Sequence, residues 1–313
     1  MQADPIRSPA RAQDLILRHR VDGYRAGDLD RDYRPLDLEE DYIYAYGFVP
    51  RTVWQLLHPR KASGLTRLEK KVLELVRSCD ECHPRDLEAR LGNKRAVNAW
   101  GGYSKATTRA LDALHYRGLL RIAGRENGVR VYQAAPSLAD PLPLSERLQK
   151  LVMLVAGMLA PVPEKSLRET LGHLRHLGDA REALHSCALE HQTVDGVKYV
   201  WPADSKPALE EAPRVVRILA PFDPLVWDRR RFEHLWGWPY RFEAYTPASK
   251  RVRGYYAMPL LWGDAIIGWA NVSVNAGAME TQLGFIGKRP KDAAFRLALE
   301  EELARMRDFL GCI

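Results

Sequence analysis

The sequence predicts an α+β protein: tandem winged helix-turn-helix modules followed by a small C-terminal β-barrel with a terminal helix. Two observations predict it. A unit running helix, helix, helix, hairpin occurs twice in the middle of the chain. After about residue 205 helical spacing gives way to alternating apolar residues and tight turns.

The first element is a helix at 9–21. Ser8 suits the N-cap, Pro9 the first helical position, and Ala12, Leu15, Ile16 and His19 share a face. The stretch LDLEEDYIYAYGFVPR reads as the strand-like wing of the same unit. Residues 1–60 are thus a partial first module lacking its first two helices, and helix 9–21 is expected to expose an apolar face. The second module, 61–136, opens with a capping box, Thr66 to Glu69, and a face of Leu65, Leu68, Val72, Leu75 and Val76. A turn at 79–83 leads into Pro84 and a helix carrying Leu87 and Leu91, which stops at Gly92. The third helix runs from Ser104 to Tyr116 with Leu111 and Leu114 inward and Gly118 at its end. LLRIAGRENGVRVYQ is a hairpin turning at Asn127-Gly128. The Pro-rich AAPSLADPLPLS is a connector. The third module, 144–203, repeats the order with helices at 146–160, 164–171 and 179–189 and a hairpin at Asp195-Gly196. Residues 213–313 are the barrel and its closing helix. A strand at 215–219 comes first, then alternating YRFEAY at 240–245 and a meander through GYYAMPLLW and AIIGWANVSV, and last a helix at 292–310.

Composition narrows the function classes. The chain has 313 residues, 46% apolar, and a net charge of +7, which favours a polyanionic partner. No run of 18 or more apolar residues occurs, so no membrane span is expected. Asp4 and Arg7 interrupt any signal-peptide core, giving a cytoplasmic, nucleoid-associated expectation. Cys79, Cys82, Cys187 and Cys312 are too unevenly spaced for a disulfide framework. CDECH at 79–83 matches the haem-attachment pattern and offers three zinc ligands, but no second ligand pair completes a site, so it reads as a turn. No cofactor is expected, and the phosphate-loop, G-x-S-x-G and H-E-x-x-H patterns are absent.

In a winged helix the third helix enters a groove and the wing meets phosphates. Ser104, Lys105, Thr107, Thr108 and Arg109 start that helix, Lys94 and Arg95 lie in its approach, and Arg125 and Arg130 are in the wing. These donors and cations suit phosphates and base edges. Lys250, Arg251 and Arg253 form a loop cluster that either reaches DNA or keeps a sheet edge soluble. VWDRRRFEHLWGWPYRFEAY interleaves arginines with aromatics, which can stack bases but at strand spacing reads as barrel core. Asp223, between two prolines, reads as buried, satisfying turn amides and paired with Arg229.

QADPI, ARAQDLILRHRV, LEEDYIYAYGFVPR, the tandem wings and above all 219–270 resemble the YcaQ/AlkZ family of DNA glycosylases over nearly the whole chain. The resemblance implies three winged helices and a barrel cradling double-stranded DNA. It implies excision of bulky or crosslinked N7-alkylated purines through a Gln-Φ-Gln or Gln-Φ-Asp motif, Φ being apolar. In this chain that motif is Gln2-Ala3-Asp4. Alternate residues of an extended segment face one side, so Gln2 and Asp4 can share a pocket. Asp4 would stabilise the oxocarbenium-like sugar or activate water, and Gln2 would hold the water or the sugar. No lysine is placed for a Schiff base, so a monofunctional enzyme is expected, and an Asp-type motif resembles the YcaQ branch with its broader substrates. Family members carry some tens of residues before this motif, so weak activity is expected of the 313-residue form. The alternative is a non-catalytic winged-helix DNA-binding protein or transcriptional regulator. No protein partner is inferred.

Overall fold

A computed structural model describes residues 1–60, 64–92, 94–97, 103–138, 141–205 and 211–312. In chain order, α1 (Ala12–Leu17) and α2 (Asp28–Asp32) precede the antiparallel hairpin of β1 (Leu38–Tyr42) and β2 (Tyr46–Pro50) and then α3 (Arg51–Leu57). Next come α4 (Arg67–Arg77), α5 (Pro84–Leu91), the short pair β3 (Arg95–Val97) and β4 (Tyr103–Lys105), α6 (Ala106–Tyr116), and the hairpin β5 (Leu120–Glu126) and β6 (Val129–Ala134). The following stretch holds α7 (Leu144–Met158), β7 (Val162–Pro163), α8 (Glu164–Leu171), α9 (Ala180–Ser186), β8 (Leu189–Val194) and β9 (Val197–Pro202). The last part holds β10 (Val216–Ile218), α10 (Pro224–Trp227), α11 (Arg229–Trp236), β11 (Met258–Trp262), β12 (Ala265–Asn275), β13 (Ala278–Phe285) and α12 (Ala293–Leu310).

These elements divide into two compact units, Met1–Leu29 with Val155–Leu167 and Ala188–Ile313, and Asp30–Leu154 with Arg168–Cys187. Residues 1–60 and 144–203, each expected to be one module, are therefore both shared between the two units. The 61–136 stretch keeps the expected order. Thr66 and Glu69 form the capping box of α4, and Val72, Val76, Leu87, Leu111, Leu114 and Ile122 build one core. Asn127 and Gly128 take φ 50° and 82°, the left-handed pair that closes a two-residue hairpin. Cys82 extends this sheet by exchanging backbone hydrogen bonds with Tyr132 at 2.8 and 3.0 Å, and His83 caps α5 through Nδ1. CDECH thus works as a strand-to-helix turn.

The first unit is built on an antiparallel sheet ordered β10-β11-β12-β13. Its core joins Val216, Ile218, Met258, Leu260, Ala270 and Val272 to Phe295, Leu299 and Met306 of α12. Helix 9–21 does not expose its apolar face. Ala12, Leu15 and Ile16 are buried, the last two in this same core. The helix is also shorter than expected: Arg11 is the N-cap, and Ser8 and Pro9 precede the helical turns. Arg18 pairs with the fully buried Glu302, which also accepts the Ile218 amide (2.8 Å) and Arg305 (2.9 Å). The remote sheet and α12 thus supply the partners that the sequence reading sought in upstream helices.

Three further expectations are corrected. Residues 240–245 form no strand, because the Glu243 carboxylate, not a neighbouring strand, bonds the backbone amides of 252–254. The aromatic-arginine stretch packs as core, but through α11 and the loop after it rather than at strand spacing: Phe232, Trp238 and Tyr240 are buried together. Asp223 is buried and caps α10 as expected, but its ionic partner is Arg20, bidentate at 2.8 and 3.0 Å. Arg229 instead donates to the carbonyls of Val226 and Pro221 and lies over the Tyr240 ring. No helix among the described residues is long and apolar enough to cross a membrane.

Candidate active site and nucleic-acid interface

Gln2 and Asp4 are both partly buried in the first unit, with Met1 and Ile6 packed against its core. Asp4 Oδ1 accepts the Ile6 amide at 2.8 Å, an Asx turn that fixes the carboxylate two residues ahead of its own donor. Burial raises the Asp4 carboxyl above its ordinary 3.8, against the lowering effect of that hydrogen bond. The Gln2 amide oxygen is buried and accepts no hydrogen bond among the described residues. A buried acceptor in that condition costs free energy unless a ligand or solvent group satisfies it.

Phe242, in the loop before β11, packs against the same core as Met1 and Ile6. Glu243 Oε2 accepts the amides of Val252, Arg253 and Gly254 at 3.0, 2.8 and 3.2 Å. Gly254 has φ 127°, and a Cβ there would fall 2.4 Å from the Asn271 side chain, so this tight passage needs glycine. Tyr256, buried in the core, holds a hydroxyl with no partner among the described residues. Burial and then the Asp4 charge push that phenol up, keeping it neutral. Sequence reading missed Tyr256, since an aromatic in an alternating GYYAMP run carries no sign of its neighbour at residue 4.

The loop's basic residues divide. Lys250 is exposed, Arg251 lies over the Tyr255 ring and donates to the Thr246 carbonyl, and Arg253 is tucked between Trp238 and Glu243. Only the first two present charge outward to any extent, and Arg253 is held by its own unit.

In the second unit Lys94, Arg95 and Arg109 are exposed. Arg95 stands opposite Lys105 in the β3–β4 pair, and Lys105 forms an ion pair with Glu88 at 2.6 Å. Ser104 and Lys105 lie in β4, so the helix starts at Ala106, two residues later than expected. Ser104 Oγ and Thr107 Oγ1 are buried with no hydrogen-bond partner among the described residues, and Thr108 is half-buried. The arginines of the β5–β6 hairpin are also paired. Arg125 binds the buried Glu40 (2.5 Å), and Arg130 stacks on Tyr46 (4.3 Å) within 3.7 Å of Glu40. Their guanidiniums face a buried carboxylate, so any phosphate contact they make is shared with Glu40.

A family profile described as DNA glycosylase AlkZ-like matches residues 1–309. Among solved structures, Streptomyces sahachiroi DNA glycosylase AlkZ is similar in fold at a TM-score of 0.59 and 14% identity, over 99% of this chain and 88% of that one. With the match running from the Gln2-Ala3-Asp4 segment through almost all of α12, the chain belongs to the AlkZ-like DNA glycosylase family.

Proposed function

We propose that the protein is a monofunctional repair glycosylase that hydrolyses the N-glycosidic bond of N7-alkylated purines, bulky and crosslinked adducts included. The observation that carries the reading is Asp4: a carboxylate fixed by the Ile6 amide and kept from full solvation, on the segment that also buries the unsatisfied Gln2 amide oxygen. An N7-alkylguanine is already cationic, so its base leaves as a neutral molecule with the electron pair of the C1′–N9 bond and needs no strong acid. The carboxylate of Asp4 stabilises the oxocarbenium-like sugar left behind. Water then adds to C1′, Asp4 takes its proton, and Gln2 orients the water or a sugar oxygen. This chemistry needs no lysine, so the strand stays uncut.

The α4–α6 module with its β5–β6 hairpin acts as a winged helix, and the sheet unit as the C-terminal barrel domain of the family. Exposed Lys94, Arg95 and Arg109 on one unit, and Lys250 with Arg251 on the other, supply charge for duplex phosphates. The place of action is then the nucleoid.

The test is base release from a duplex holding one 7-methylguanine, without alkali and then with it. Wild type is expected to release the base, with strand breaks appearing only after alkali. Asp4→Asn is expected to lose at least about a hundredfold in rate, the scale of a lost general base, while binding duplex DNA as wild type does. Wild-type rates should fall as acid protonates Asp4 above its ordinary 3.8. Full activity in Asp4→Asn removes the mechanism. A wild type that binds DNA yet releases no base leaves a DNA-binding regulator.

A further inference from the structure

We propose that the ring of Tyr245 is the platform on which the alkylated purine stacks beside Asp4, and that it selects cationic bases over neutral ones. The inference rests on the reading of Asp4 as the group at the reacting sugar.

Tyr245 is 79% exposed, more than any other large apolar or aromatic side chain among the described residues. An aromatic held in water forgoes the burial that stabilises its neighbours. Yet its position is not loose. Its ring meets Phe242 edge-on at 6.1 Å, and Phe242 in turn meets Tyr256 at 5.2 Å and Phe222 at 5.1 Å. On the chain itself, Ala244 is buried, the Thr246 amide donates to the Glu243 carbonyl (2.9 Å), and Arg251 Nε donates to the Thr246 carbonyl (2.8 Å). The stem is thus fixed by an aromatic row that runs from half-buried Phe242 to buried Tyr256, while the ring itself is exposed. The row leads to the Asp4 segment: Phe242 packs against the same core as Met1 and Ile6, which flank Asp4, and burial and then that carboxylate push the Tyr245 phenol up.

This placement suits a cationic base. The face of a phenol ring is negative, and it attracts a positive π-system more than a neutral one. A purine alkylated at N7 carries that charge only until its C1′–N9 bond breaks. The bonding electrons then pass to the base, which becomes neutral and is held less tightly. The platform therefore binds substrate better than product, and its loss should appear mainly in KM.

Two measurements test it: steady-state release of 7-methylguanine, and equilibrium binding to a duplex bearing the uncleavable 2′-fluoro-7-methylguanosine against an undamaged duplex. Tyr245→Leu keeps the bulk and discards the π-face. It is expected to raise KM and the lesion Kd about tenfold, within the range of one base–aromatic stack, with kcat falling less and undamaged-duplex Kd unmoved. Tyr245→Phe and Tyr245→Trp should restore lesion binding. Wild-type values for Tyr245→Leu, or an equal loss on undamaged DNA, overturn the proposal. A wild type that releases no base but prefers the lesion duplex, a preference lost in Tyr245→Leu, would overturn the Asp4 chemistry and leave the platform standing. No lesion preference in wild type overturns both.

Discussion

Glu40 decides which cations of the β5–β6 hairpin are available to a ligand. Its carboxylate is 1% exposed and draws in Arg125, Arg130 and the Tyr46 hydroxyl (2.6 Å). Removing Arg125 strands a buried charge, so Arg125→Ala is expected to cost about 3–5 kcal/mol of stability and to leave the salt dependence of DNA binding as it was. Arg109→Ala should behave oppositely: stability within about 0.5 kcal/mol, and the slope of log K against log salt smaller by about one. Urea unfolding and binding titrations at several salt concentrations separate the two patterns; a shallower slope in Arg125→Ala would make that residue a phosphate contact as well. Residue-level roles were poorly legible in the sequence for the same reason. Arg125 looks outward at a hairpin position because nothing near it in sequence announces a carboxylate 85 positions earlier. Gln2 and Asp4 stood out only through family resemblance, since two polar residues near a terminus carry no periodicity to read.

Elements were legible where the requirement is local. The turns at Asn127-Gly128 and Asp195-Gly196 need positive φ, and those residue types tolerate it, so both hairpins fall where expected. The capping box of α4 is likewise written within four residues. What could not be read is partnership at long range. The helix at Ala12–Leu17 was expected to lie bare, yet Leu15 is fully buried against β10–β13 and α12, about 200 to 300 residues onward. Leu15→Ala should therefore cost about 2–5 kcal/mol, as truncation of a fully buried leucine does, and should loosen the segment that carries Asp4. Urea unfolding measures the first effect. Base release falling further than duplex affinity at a temperature where the variant is folded measures the second. A change below about 0.5 kcal/mol would mean that the helix is not docked as described.

Across the whole molecule, neutral histidines set the acid limit. His19 Nε2 donates to the Ile218 carbonyl (2.9 Å), His115 Nε2 to the Glu40 carbonyl (2.8 Å), and His58 meets Asp41 (2.5 Å), so imidazoles brace both units. Burial lowers all three from 6.5, His19 to about 4, its effect on His58 outweighing the hydrogen bond to Asp41. Each folded value lies below the unfolded one, so the unfolded chain takes up protons first. Stability is then complete above about 6.5 and falls as pH drops below it, by up to about 1.4 kcal/mol per pH unit for each histidine. Asp41 extends the loss further down. Burial alone would raise its carboxyl, but the His58 hydrogen bond and Arg60 hold it at about 2, so its contribution is present above 3.8 and disappears below. Asp4, Glu39 and Asp112, each raised by burial, act in the opposite direction. Urea unfolding free energies should therefore be lower at pH 5.5 than at pH 7.5, with net proton uptake on unfolding at the lower pH. Equal stability at both, or greater stability in acid, would mean that the three imidazoles are charged in the fold. The same arithmetic dictates how the glycosylase chemistry must be measured: an acid loss of base release belongs to Asp4 only where unfolding, followed in parallel, has not yet begun.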